Sequence, residues 1–256
     1  MNTLLVAGKE THLSGWKRDL PDHRDFILKV KAKLPTVIDL RPNTPLVEDQ
    51  KSLGSCVANA ATSAMEYLYI KQKKPIKEMS RLFLYYSTRV WVENTSPDDD
   101  SGCSIRDAMK ALNKYGTCFE KTWPYQISKF ATAPTTLCKK EALDHQILSY
   151  YKCSTLDAIK TALINGLPVV GGFAVPANMM SSICAKTGIV RYPGPREGFI
   201  GGHAILFVGY DDVKKQLIFE NSWGAGWGDK GYGYLPYTFV SGGLVSDCWV
   251  ISSEEM

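Results

Sequence analysis

The 256-residue chain has no hydrophobic run long enough to cross a membrane: its most apolar stretch, Ala162 to Val175, is broken by Gly166 and Pro168. It has little surplus of either charge. The 30 Lys and Arg residues face 26 Asp and Glu, a net +4, which is too small to predict binding to nucleic acid. Residues Met1 to Trp16 carry Lys9, Glu10 and His12 and no apolar core of a secretory signal. The expectation is a chain that is cytoplasmic or exported by a signal-independent route. Seven cysteines are about 3% of the residues, against roughly 8–10% in a disulfide scaffold. None forms a C-x-x-C pair, which excludes a zinc ribbon or a thioredoxin-like motif. Their odd number leaves at least one thiol unpaired within the chain. In a reducing compartment all are expected free; where a disulfide does form, Cys103 and Cys118 are the expected pair. No metal or organic cofactor is expected, and Asp98-Asp99-Asp100, which fails the spacing of a calcium-binding EF-hand, reads as a solvated loop.

What is present excludes a disordered chain: 45% of the residues are hydrophobic and 11% aromatic. The length fits one large domain or two lobes. Residues 1–33 read as a polar extension with a dense turn from Asp19 to Asp25, and a compact body begins at 34 and runs to 256. Three readings of the extension stand side by side: a tail, a strap on the back of the body, or a short pro-segment in a cleft. Small and apolar residues recur at helical spacing from Ser55 to Gln72, with Lys71, Lys73 and Lys74 at the carbonyl end and Pro75 as the stop. The first turn is small and uncharged, so this helix is expected to be buried. Weaker helical patterns cover Arg81–Trp91, Ile105–Tyr115 and Lys139–Ser149. Ser154 with Asp157 reads as a capping box before a short helix that Gly166 ends. Strands are expected from Pro168 to Val175, His203 to Tyr210 and Gln216 to Glu220. The fold class is therefore α+β, with a helical lobe at about 45–150 and a β lobe at about 151–245.

Cys56 falls at the amino end of the best helix, where unpaired N–H groups favour an anion and lower a thiol's pKa. A thiolate needs a proton carrier. His12 and His23 lie in the extension, and His145 lies on a helix with solvated neighbours. His203 differs: it follows Gly201-Gly202 and opens an apolar strand, and the glycines admit a ligand close by. Asn221 ends the next strand and is suited to orient the imidazole.

The stretch Gln50-Lys51-Ser52-Leu53-Gly54-Ser55-Cys56 resembles the active-site segment of papain-like cysteine peptidases. Gly201-Gly202-His203-Ala204 resembles their histidine strand, and Glu220 to Tyr232 resembles their asparagine box. The motifs stand in the family's order. Its usual offsets from the cysteine are about 130–150 residues, so a modest insertion is implied. The lead-in Asp19 to Phe26 is most like that of bacterial and viral members. The resemblance spans residues 34–253 and implies a two-lobe fold with a β-barrel-like second lobe and the cleft between. It implies Cys56 as nucleophile, His203 as base and then acid, Asn221 as orienting residue, Gln50 as oxyanion donor and Trp223 as a shield over the histidine. By loose alignment Gly171, Gly172 and Ser246 line the main specificity pocket, with Gly202 beside the histidine. The expected activity is hydrolysis of peptide or protein substrates, by default as an endopeptidase and a monomer. The alternatives are acyl transfer, a deubiquitinase-like effector, or a silent binding module on the same fold. Leu53 stands where the family usually has a cysteine, so one common disulfide cannot form. Val57 replaces a usual tryptophan, and the family's Asn-Gly-Gly is absent before Cys103.

Overall fold

A computed structural model describes residues 15–31, 34–75 and 77–252, and the backbone alone of 3–6 and 9–12. The side chain of His12, the junction at 32–33 and residues 253–256 lie outside the described residues.

The strands are β1 (Thr3–Val6), β2 (Lys9–His12), β3 (Trp16–Lys17), β4 (Val37–Asp39), β5 (Cys103–Ser104), β6 (Ser149–Lys152), β7 (Val169–Pro176), β8 (Phe199–Asp211), β9 (Gln216–Glu220), β10 (Tyr232–Pro236) and β11 (Val245–Ser252). The helices are α1 (Cys56–Lys71), α2 (Arg81–Tyr86), α3 (Ile105–Lys114), α4 (Thr136–Ala142), α5 (Leu156–Ile164), α6 (Ser182–Thr187) and α7 (Thr238–Ser241).

Helix α1 is buried from Cys56 to Leu68, as its small, uncharged first turn requires. The chain leaves it through Lys73, whose φ of 55° is left-handed. The pattern expected over 81–91 divides: α2 is capped by Ser80, whose side chain accepts from Phe83 N, and a π-helical stretch Ser87–Val92 follows. The helix expected at 139–149 begins earlier, at Thr136, because Thr135 caps it. Residue 149 already opens β6. The cap of α5 is Thr155 rather than Ser154: its side chain accepts from Ala158 N.

Seven strands form one sheet in the order β10-β9-β8-β7-β11-β6, with β4 paired to the far end of β8. This corrects the barrel-like lobe expected from the sequence. The outer strands β10 and β6 do not meet, so the sheet stays open. The β6 edge is covered instead by the extension. Ile27 bridges Lys152 in parallel, with Leu28 N to Lys152 O at 3.0 Å and Lys152 N to Phe26 O at 2.7 Å. Covering an edge in this way removes a row of unpaired backbone groups.

All seven cysteines are buried free thiols, which corrects the Cys103–Cys118 pair. Cys103 opens β5 and Cys118 lies beyond α3 on the strand-like bridge region beside Ser80.

Candidate active site

Cys56 is the first residue of α1 and is fully buried. Ser55 before it makes no side-chain cap. Its hydroxyl bonds Tyr125 Oη at 2.5 Å and accepts from Asn59 Nδ2 at 3.1 Å, while Tyr125 Oη donates to the Gln50 carbonyl at 2.8 Å. The turn that carries the thiol is thus pinned from both sides. Helix α1 packs against β8, which brings His203 to the same place.

His203 is fully buried, and its Nε2 lies 2.8 Å from Asn221 Oδ1. Ser222 N donates to the same oxygen at 2.9 Å, which identifies that atom as the amide oxygen. Nε2 is therefore the donor, and Nδ1 of the neutral ring keeps its lone pair. Nδ1 has no hydrogen-bond partner among the described residues. Trp223 stacks on the imidazole with centroids 5.0 Å apart and 28° between planes, and Trp227 packs edge-on to Trp223 at 5.3 Å.

Gln50 is fully buried and held at both ends of its amide. Ser222 Oγ donates to Oε1 at 2.5 Å, and Nε2 donates to Leu53 O at 3.1 Å. These bonds tie it to Ser222, beside Asn221, and to the turn before Cys56.

The extension crosses this site. A Cβ placed on Gly15 would lie 2.5 Å from Gly54 O and 2.8 Å from Cys56 Sγ, so only glycine passes there. Gly102, at φ +66°, meets Gly15 from the other side, and Cys103 N donates to Gly15 O at 3.0 Å. Strand β3 then runs parallel to β5. The Trp16 ring lies against Gly172 and Gly202, where added Cβ atoms would fall 2.1 and 2.8 Å from it. Gly171 faces the other side of the strand, toward Phe207 and Cys248, as the two-residue period dictates. Ser246 pairs in register with Gly172, and its Oγ is buried without a partner among the described residues.

Burial sets the charge state. The N–H groups of Ala204, Val57 and Cys56 favour the thiolate, but removal from water is the larger effect and pushes the Cys56 pKa up to about 12. Burial likewise lowers His203 to about 4, against the Asn221 bond that raises it. The lowered thiol pKa expected from the helix end is thus reversed beneath the extension: both groups are neutral here.

Two further side chains shape the site. Asp100 accepts from Gly54 N at 3.1 Å and from Tyr85 Oη, which in turn accepts from Gly102 N at 3.0 Å. The last residue of the acidic run therefore holds the turn before Cys56 to the β5 edge, and is not merely a solvated loop residue. Glu93 accepts from Ser104 N at 2.7 Å and pairs with Lys17 at 2.9 Å. Neither was signalled by a local motif. His145 has exposed neighbours, as expected, and is itself half-buried away from this site: its Nδ1 lies 2.9 Å from Tyr69 Oη and its ring 4.4 Å from that of Phe119.

The family model for papain family cysteine proteases matches residues 34–243. The chain belongs to that family. It is 38% identical to an uncharacterized peptidase C1-like protein of Acanthamoeba polyphaga mimivirus, over 93% of this chain and 86% of that protein. It superposes on xylellain, a cysteine protease from Xylella fastidiosa, with a TM-score of 0.87 at 34% identity, covering 94% of this chain and 96% of that one. A viral cathepsin of Adoxophyes honmai nucleopolyhedrovirus is 28% identical over 82% of this chain, which spans 59% of that protein. The kinship to bacterial and viral members agrees with the lead-in motif at Asp19. Among the described residues no helix is long and apolar enough to cross a membrane.

Proposed function

We propose that this papain-family protease cleaves internal peptide bonds through Cys56, His203 and Asn221, and that residues 15–31 are an intramolecular lid over that site. The observation that carries the reading is the placement of Gly15 on Cys56 Sγ beside an imidazole oriented by Asn221.

In the reaction, His203 Nδ1 takes the thiol proton and Cys56 Sγ attacks the peptide carbonyl. The tetrahedral oxyanion is held by the Cys56 N–H and the Gln50 amide. Losing one such donor typically costs on the order of 100–1000-fold in rate. Protonated Nδ1 then gives its proton to the leaving amine, and a thioester remains. A water that loses a proton to His203 attacks the thioester, releasing the acid and returning the proton to sulfur. Asn221 keeps Nε2 protonated throughout, and Trp223 excludes water from that bond. Trp16 between Gly172 and Gly202 supports a pocket for a bulky apolar substrate side chain.

Incubation with an irreversible epoxide inhibitor of thiol peptidases, read by intact mass and peptide mapping, tests both parts. The full chain should label slowly, a chain begun at Leu34 should label rapidly and only on Cys56, and Cys56→Ala should neither label there nor turn over peptide. Equal labelling of the full and trimmed chains would remove the lid. No adduct in either would remove the catalytic assignment.

A further inference from the structure

The lid marks out two consecutive side-chain positions along the β5 edge. Trp16 and Lys17 pair with Cys103 and Ser104, so a peptide lying on the same edge presents side chains to the same two places. The first is the Gly172–Gly202 pocket. The second is acidic. Lys17 Nζ donates to Glu93 Oε2 at 2.9 Å and to Ser101 Oγ at 3.0 Å. The Glu93 side chain is only 11% exposed, and among the described residues no cation other than Lys17 forms an ion pair with it. Its other oxygen is committed to Ser104 N, at 2.7 Å, which fixes the carboxylate against the edge and aims the free oxygen along it. When the lid lifts, Lys17 leaves and a carboxylate still fixed to the β5 edge by Ser104 N stays behind without its cation. Such a group favours an incoming ammonium or guanidinium.

We infer that Glu93 selects substrates with a lysine or arginine one residue further from the scissile bond than the side chain entering the Gly172–Gly202 pocket; the inference rests on the peptidase reading and the lid placement above. The substrates of choice are then peptides with a bulky apolar residue followed outward by a basic one. The lid satisfies both positions with its own Trp16 and Lys17.

The test uses the full chain and fluorogenic peptides identical except at that outer position, where they carry Lys, norleucine or Glu. The quantity read is the ratio of kcat/KM for the Lys peptide to that for the norleucine peptide. The ratio is independent of how many molecules have the lid raised, since that fraction scales both rates alike. The wild type should prefer Lys by roughly five- to tenfold, the scale of a half-buried ion pair. In Glu93→Gln, which keeps an acceptor for Ser104 N, the ratio should fall to about one. In Glu93→Lys the Glu peptide should overtake the Lys peptide. A wild-type ratio near one, or a ratio unchanged in Glu93→Gln, overturns the assignment while leaving the peptidase reading intact. Failure of both the wild type and the lid-loosened Gly15→Ala chain to cleave any peptide overturns both.

Discussion

Residue by residue, the site owes its state to Gly15. With no side chain, this residue lets a backbone rest on Gly54 and on the Cys56 sulfur at once. A methyl group there must push the strand outward, because the nearest neighbour is a backbone oxygen 2.5 Å away that cannot rotate aside. Gly15→Ala in the full chain should therefore raise the rate of Cys56 alkylation by a small haloacetamide by about tenfold, the scale of an overpacking penalty of 1–3 kcal/mol. An unchanged rate would mean that the lid opens freely without help. Cys56, His203 and Asn221 were legible because each sits in a local pattern: a helix start, a Gly-Gly before an apolar strand, a strand end. Asp100 was not. Its bond to Gly54 joins residues 46 apart, and nothing in three consecutive aspartates tells which one the fold turns inward. Loose alignment puts both Gly171 and Gly172 in the specificity pocket, but alternation along β7 sends them to opposite faces, and only Gly172 faces Trp16.

Among the elements, the extension is held by two aspartates of opposite electrostatic character. Asp25 is pushed up by burial, but Arg106 at 2.6 Å and Lys152 at 3.0 Å outweigh this and hold its pKa below the usual 3.8. Its contribution to docking is present above 3.8 and lost as pH falls through the lowered value. Asp19 is raised, first by burial and then by Asp247, in spite of the bond from Trp249 Nε1 at 2.7 Å. It favours docking at low pH and weakens it as pH rises through the raised value. Amide exchange over residues 15–31 should thus stay slow as pH falls from 7 to about 4, after correction for intrinsic rates. Protection should be lost only below the ordinary carboxylate range. Loss of protection by pH 5 would show that Asp25 is not the latch. The turn from Asp19 to Asp25 was visible as a charged cluster, but its partners Arg106, Lys152 and Trp249 come from three separate elements, and only the fold brings them together.

For the whole molecule, two buried carboxyls make stability fall at alkaline pH. Glu66 in α1 and Glu220 at the end of β9 are both raised to about 8, chiefly by burial. Met79 N at 2.7 Å and Ser63 Oγ at 2.6 Å offset only part of this. A raised carboxyl stabilises the fold fully below its unfolded value near 4.5 and loses that contribution as pH rises through 8. The Tm should therefore be several degrees lower at pH 9.5 than at pH 6, and Glu220→Gln should flatten that fall. A Tm that is level across this range would show that water reaches these carboxyls. The α+β class, helix α1 and the strands β7, β8 and β9 were readable from periodicity and punctuation, whereas β6 and β11, which carry no marked alternation or turn signal, were not. Closure of the sheet was not, because it depends on whether β6 and β10 reach each other across the fold, and the segment around Ile27 takes the β6 edge instead.

The lid and the cleft it covers belong to one polypeptide, anchored at Gly15 itself through Cys103 and further along at Asp19, Asp25 and Ile27. Its encounter with the thiol is therefore governed by an effective local concentration, on the millimolar scale for short tethers, and not by how much protein is in solution. Latency on the proposed reading is insensitive to dilution while the chain is whole. A single cut between the lid and the body changes the molecularity of that contact, so that diluting the cut protein then favours release.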